Sequence, residues 1–142
     1  MPATTGSRGT QRGDPVSLSY EIDSQLEILR IRVDGSPDAS EDAELTMKWA
    51  NDPLYRPGMP ILVDNRKRTG IASSAHIADM AGQTARSKLL QVPTRCAVVV
   101  ARDAQFGMTR MFALRSADTK LETRVFRNIQ EAEQWLTSQP DP

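Results

Sequence analysis

Residues 61–77 hold the side chains from which chemistry can be read: Asp64, then Arg66, Lys67 and Arg68, then Ser73, Ser74 and His76. Ile61-Leu62-Val63 in front of them is an unbroken apolar run, the pattern of a strand covered on both faces. Asn65 to Gly70 reads as a basic loop, and Ser73-Ser74 precedes an apolar stripe at helical spacing, Ile77, Met80, Ala81, Ala85 and Leu89. Cationic side chains beside a helix start combine two anion-binding devices, charge and free backbone N–H donors at the positive end of the helix dipole. Arg66, Lys67 and Arg68 with Ser73 and Ser74 therefore form the candidate anion or phosphoacceptor site. The plainer assignment gives Ser73 the role of a helix cap and leaves the basic residues in solvent. Asp64, at the strand end, is placed either to act as a general base or to bond its own loop and a neighbouring Arg.

Other chemistries lack their parts. His76 is the single histidine, so a hydrolase would have to pair it with Ser74, and no G-x-S-x-G elbow surrounds either serine. Neither G-x-x-x-x-G-K-[ST] nor G-x-G-x-x-G occurs, which removes the phosphate cradles of P-loop and dinucleotide-binding proteins. No His, Cys or carboxylate cluster has metal-ligand spacing. No catalytic residue, metal or cofactor is expected. Cys96 is the only cysteine, inside the apolar run 96–101, and reads as an inert core thiol without a disulfide partner.

The elements that must position these residues follow from patterning. Val16, Leu18, Tyr20 and Ile22 alternate with polar residues, as do Leu29, Ile31 and Val33, giving an antiparallel hairpin around Asp23-Ser24. Asp38 with Glu41 opens a helix whose expected inner stripe is Ala43, Met47 and Ala50, with Leu45 and Trp49 beside it. Leu54 to Pro60 is a Pro- and Gly-rich loop in which Tyr55 and Arg56 are ligand- or partner-facing candidates. After the central strand and its helix come a strand over 96–101, a helix carrying Phe106, Met108, Met111, Phe112 and Leu114, and a strand over 121–126. A last helix opens at Asn128 with Glu131, its buried stripe Ala132, Trp135 and Leu136. The order β-β-α-β-α-β-α-β-α predicts an α/β fold: a single sheet with an N-terminal antiparallel hairpin followed by mostly parallel strands. The expected organisation is a disordered tail over 1–15, one domain over 16–138 and a short tail over 139–142.

Charge and length bound the function. The 142 residues fit one domain, and 18 basic and 18 acidic residues cancel, so no global field draws the chain to nucleic acid. No apolar run is long enough for a transmembrane segment, and the N-terminus lacks a signal h-region, so a cytoplasmic location is expected.

Three segments carry a family resemblance: Pro60 to Arg66; Arg95 to Val100 with Phe106-Gly107-Met108-Thr109-Arg110-Met111-Phe112; and Val125 to Asn128 with Glu131 to Leu136. With the element order, they make the chain similar to the STAS domains of anti-sigma-factor antagonists, in the broader SpoIIAA-like group, from about Val16 to Thr137. The resemblance implies a bacterial, non-enzymatic binding module without cofactor. In the phosphoregulated antagonists the second helix opens with Asp-Ser-Ser-Gly, one Ser accepting phosphate from a partner kinase. Here that stretch is Ala72-Ser73-Ser74-Ala75: the hydroxyls are kept and the Asp and Gly are replaced.

The resulting expectation is a protein partner, of kinase or sigma-regulatory type, engaged at the edge formed by residues 65–74 and the following helix. The alternative is a carrier of a small anionic or lipid-like ligand, with a pocket under the Met108/Met111 helix. Tyr55, Arg56, Asp64, His76, Met108 and Met111 are the wider candidate surface, and homodimerisation is left open.

Overall fold

Alternating strands Ser17–Asp23 (β1) and Ile28–Gly35 (β2) form the expected antiparallel hairpin, Tyr20 opposite Ile31 and Ile22 opposite Leu29. Its turn is held by Asp23, whose Oδ1 accepts from the backbone N–H groups of Gln25 and Leu26, both at 3.0 Å. The structure is a computed structural model that describes residues 16–69, 75, 92–115 and 120–138. The remaining elements are α1 (Ala39–Ala50), β3 (Ile61–Arg68), β4 (Thr94–Val99), α2 (Asp103–Arg115), β5 (Leu121–Phe126) and α3 (Ile129–Thr137). The helix expected after β3, with Ser73, Ser74 and His76, lies outside the described residues, as do the tails at 1–15 and 139–142.

The five strands lie in the order β1-β2-β3-β4-β5, all pairs after the hairpin parallel. The central strand is therefore flanked on both sides, with Ile61 opposite Cys96 and Val63 opposite Val98. Strands added in one direction through right-handed crossovers carry their helices to one face. On that face α1 and α2 cover Leu29, Ile61, Cys96, Val98 and Val100 with Leu45, Trp49, Phe106 and Phe112. On the opposite face α3 covers Ile28, Leu62, Ala97 and Val99 with Ala132 and Leu136.

Local chemistry sets the helix starts. Asp38 accepts from Glu41 N–H at 2.8 Å while Glu41 Oε1 accepts from Asp38 N–H at 2.9 Å, a complete capping box. Asn128 accepts from Glu131 N–H at 3.0 Å. Two expectations about faces are corrected. In α1 the buried residues are Leu45 and Trp49, while Met47 is 64 % exposed, because the 45/49 pair carries the large ring that the sheet face can cover. In α3, Ala132 and Leu136 are buried but Trp135 is only half-buried, lying against Phe126 at the margin of the sheet.

Candidate functional site

The site expected from the sequence falls at the carboxyl edge of the parallel strands, and its backbone differs from a loop. β3 runs through Arg68, so Asn65, Arg66, Lys67 and Arg68 are strand residues and the expected basic loop is corrected. Pairing with β2 continues past an irregularity: Arg32 faces Asp64, but Asp34 faces Lys67, leaving one extra residue on β3. That bulge changes where the following side chains point.

The three cations are consequently not gathered. Arg66 folds back on Asp64, with Nε to Oδ1 at 2.9 Å and Nη2 to Oδ2 at 2.8 Å. The Arg66 guanidinium holds the Asp64 carboxyl below the ordinary carboxylate range, against the opposing effect of partial burial. A carboxylate so held is a weak base, and Asp64 takes the ion-pair role of its two sequence readings. Arg68 turns to the other face, is buried, and meets Asp42 in the first turn of α1 at 3.2 Å. Lys67 is exposed.

The end of β3 is fixed from several sides. The Arg68 carbonyl accepts from Arg102 Nη2 at 3.0 Å and from Gln105 Nε2, while Gln105 Oε1 accepts from Ala101 N–H at 3.2 Å. Thr69 N–H donates to Gly35 O at 2.9 Å. Gly35 has φ of 86°, a conformation that suits glycine where β2 turns toward α1. Asp103 and Arg127 pair beside this cluster, with Arg127 5.5 Å from the centre of the Phe106 ring. Asp42, Arg102 and Gln105 were not singled out by the sequence. The one available signal was Gln105 with Thr109, two uncharged polar residues four apart on one side of α2.

The remaining candidates scatter. Tyr55 is buried against Trp49, ring centroids 5.0 Å apart, which corrects its expected place on a partner-facing surface; burial pushes its phenol up from the ordinary value. Arg56 is exposed and paired with Glu27 at the opposite, amino edge of the sheet. Met108 is half-buried and Met111 exposed on α2. A shallow groove of about 360 Å³ lies over the first three strands, lined by Glu21, Arg30, Arg32, Asp64 and Ile129 among others, and not by Met108 or Met111. Cys96 is buried and its thiol is pushed up to about 12 by that burial, which leaves no thiolate for chemistry near neutrality. Among the described residues, no three His, Cys, Asp or Glu side chains are grouped to hold a metal ion, and no helix is long and apolar enough to cross a membrane.

Comparison with protein-family models and with curated proteins finds no match. Comparison with solved structures finds an uncharacterised protein of the DUF3478 family with a SpoIIAA-like fold, from Shewanella loihica PV-4. The TM-score is 0.56 at 19 % identity, over 85 % of this chain and 93 % of that one. At that identity the likeness speaks to architecture, and with the sheet order and helix placement above it gives the conclusion that this chain has the SpoIIAA-like, STAS-like α/β fold.

Proposed function

We propose that the chain is a non-enzymatic binding module that engages a protein partner at the carboxyl edge of its sheet. The observation carrying this reading is the fixed exit of β3: Arg68 is paired with Asp42, and its carbonyl is held by Arg102 and Gln105. A surface ordered before binding loses little conformational entropy on association, which favours recognition of a folded partner. Around this anchor the edge presents exposed Lys67, Arg102 and Arg127 beside exposed Asp103, a mixed polar rim of the kind that sets partner choice and orientation.

The partner proposed is a regulatory protein of kinase or sigma-regulatory type. Ser73 and Ser74 follow the anchored Arg68 by five and six residues in the sequence, and are the hydroxyls such a kinase would meet. The groove over β1–β3, lined by Glu21, Arg30, Arg32 and Asp64, is too charged to suit an apolar cargo.

Affinity capture tests the reading. Immobilised wild-type chain should retain a discrete protein from extract of its own cells. Lys67→Glu should lose that protein, and Arg56→Glu, at the far edge, should keep it. Equal retention by all three would remove the carboxyl edge from the interface.

A further inference from the structure

On the sheet face that α3 packs against, the first three strands carry side chains in level rows. Glu21, Arg30 and Leu62 stand level across β1, β2 and β3, and Ser19, Arg32 and Asp64 form the next row. Direct opposition would favour a pair between Glu21 and Arg30, yet Arg30 is drawn away from it. Its Nε donates to Asp23 at 3.2 Å, toward the amino end of β2, and its Nη2 donates to Glu133 of α3. Arg32 is drawn the other way, its Nε donating to Asp34 at 3.3 Å. Neighbouring guanidiniums on one face of a strand are thus held apart, and the groove of about 360 Å³ opens between them. Tyr20 and Ile31 line it although their side chains pack on the other face, so its floor is hairpin backbone. Ile129, half-buried in the first turn of α3, gives an apolar wall. All of this lining belongs to the described residues.

Among the described residues, the Arg32 Nη fork, the Glu21 carboxylate and the Ser19 hydroxyl make no hydrogen bond or ion pair. Arg32 and Glu21 lie on a diagonal of the antiparallel pair, with about 7–8 Å between Cβ atoms. The lining sets the carboxylates of Glu21 and Asp64 against the guanidiniums of Arg30 and Arg32, so neither a lone anion nor a lone cation meets a favourable field. A small molecule carrying both charges close together does. We infer that the groove binds a zwitterion of the α-amino acid type. The ligand carboxylate accepts from the Arg32 Nη fork in parallel hydrogen bonds, and the ligand ammonium donates to Glu21. The Ser19 hydroxyl, opposite Arg32, is a further donor to that carboxylate. Asp64 is committed to Arg66 and takes no part. An apolar ligand side chain then lies along Ile129, and a volume at the small end of ligand sites suits a single amino acid. Lys67, on the proposed partner surface, does not line this groove, so the two readings stand or fall separately.

Titration of the full chain with L-leucine, followed by amide shifts in NMR, tests the inference. Amides of Ser19 to Glu21 and Arg30 to Arg32 should move and saturate below about 10 mM, as a site of few polar contacts requires. Isocaproate, which lacks the ammonium, and leucinamide, which lacks the carboxylate, should each bind at least about tenfold more weakly. Glu21→Gln and Arg32→Ala should each weaken leucine binding at least about tenfold, with an unchanged thermal melt because both positions are exposed. Glu122→Gln, exposed on the same sheet face at β5, should bind leucine as the wild type does. No movement of these amides at about 10 mM leucine would overturn the inference. So would binding of isocaproate or leucinamide as tight as that of leucine, or leucine affinity undiminished in Glu21→Gln or Arg32→Ala.

Discussion

Arg68 and Asp42, 26 residues apart in the chain, meet at 3.2 Å with only 9 % and 15 % of their side chains exposed. The pair ties the end of β3 to the first turn of α1, and it sits where the Arg68 carbonyl is also gripped by α2. Asp42→Ala leaves a buried guanidinium without its counter-ion, and should cost about 3 kcal/mol in urea unfolding. Asp103→Ala breaks a pair whose carboxylate is exposed, and should cost under about 0.5 kcal/mol. Similar losses in the two variants would show that the Arg68 pair is no more than a surface contact.

Acidification should act through Asp64. Its carboxyl is held low in the folded chain by Arg66, so its stabilisation is present above the unfolded value near 3.9 and is lost as pH falls through the lower folded value. Urea midpoints should therefore decline as pH drops through the carboxylate range, and Asp64→Asn should decline less steeply. The decline should persist in part, because Asp23 and Asp52 are also held low, chiefly by the backbone N–H groups of Leu26 and Leu54.

Alkaline pH should act through Cys96 with the opposite sign. The folded thiol is pushed up to about 12, whereas an unfolded thiol ionises near 8.5. Its contribution is whole below the unfolded value and diminishes as pH rises toward the folded one. Cys96→Ala should flatten the alkaline limb of the stability curve. A thiol reagent should label the native wild type only as fast as the chain unfolds.

Trp135 is held by a different kind of contact from the core residues of α3. Its ring meets Phe126 at 5.7 Å between centroids and lies under the guanidinium groups of Arg124 at 4.8 Å and Arg95 at 5.2 Å. Arg95 also donates to the Trp135 carbonyl at 2.6 Å, closing the end of the helix. Trp135→Ala should cost about 2–4 kcal/mol, and Arg127→Ala, whose contacts are exposed, less than about 1 kcal/mol. Chemical denaturation of both variants checks the ordering.

The sheet was legible in the sequence because its period-two hairpin and its unbroken apolar strands have few other uses. The end of β3 was not. Arg66-Lys67-Arg68 looks like a solvated loop because charge suggests exposure, yet the backbone pairing with β2 continues, and the compensating Asp42 is too distant in the chain to be recognised. The face of α1 was misread for a related reason: Ala43/Met47/Ala50 and Leu45/Trp49 both have helical spacing, and only the sheet beneath decides between them. In α2 the apolar content was plain, but periodicity could not show Gln105 turned inward onto the Arg68 carbonyl. The strand-end position of Arg66, Lys67 and Arg68 was thus legible, while the contacts that fix Arg68 came from long-range packing.

Lys67 lies at the carboxyl edge and Arg56 at the amino edge beside Glu27, so the two positions separate the proposed partner surface from its opposite. The direct measurement is site-specific photo-cross-linking in extract of the source cells. A photoreactive group is attached to Lys67→Cys or to Arg56→Cys, with buried Cys96 left unlabelled. A partner seated on the carboxyl edge predicts one discrete adduct from position 67 and none from position 56. The same adduct from both positions, an adduct from 56 alone, or none from 67 would contradict it.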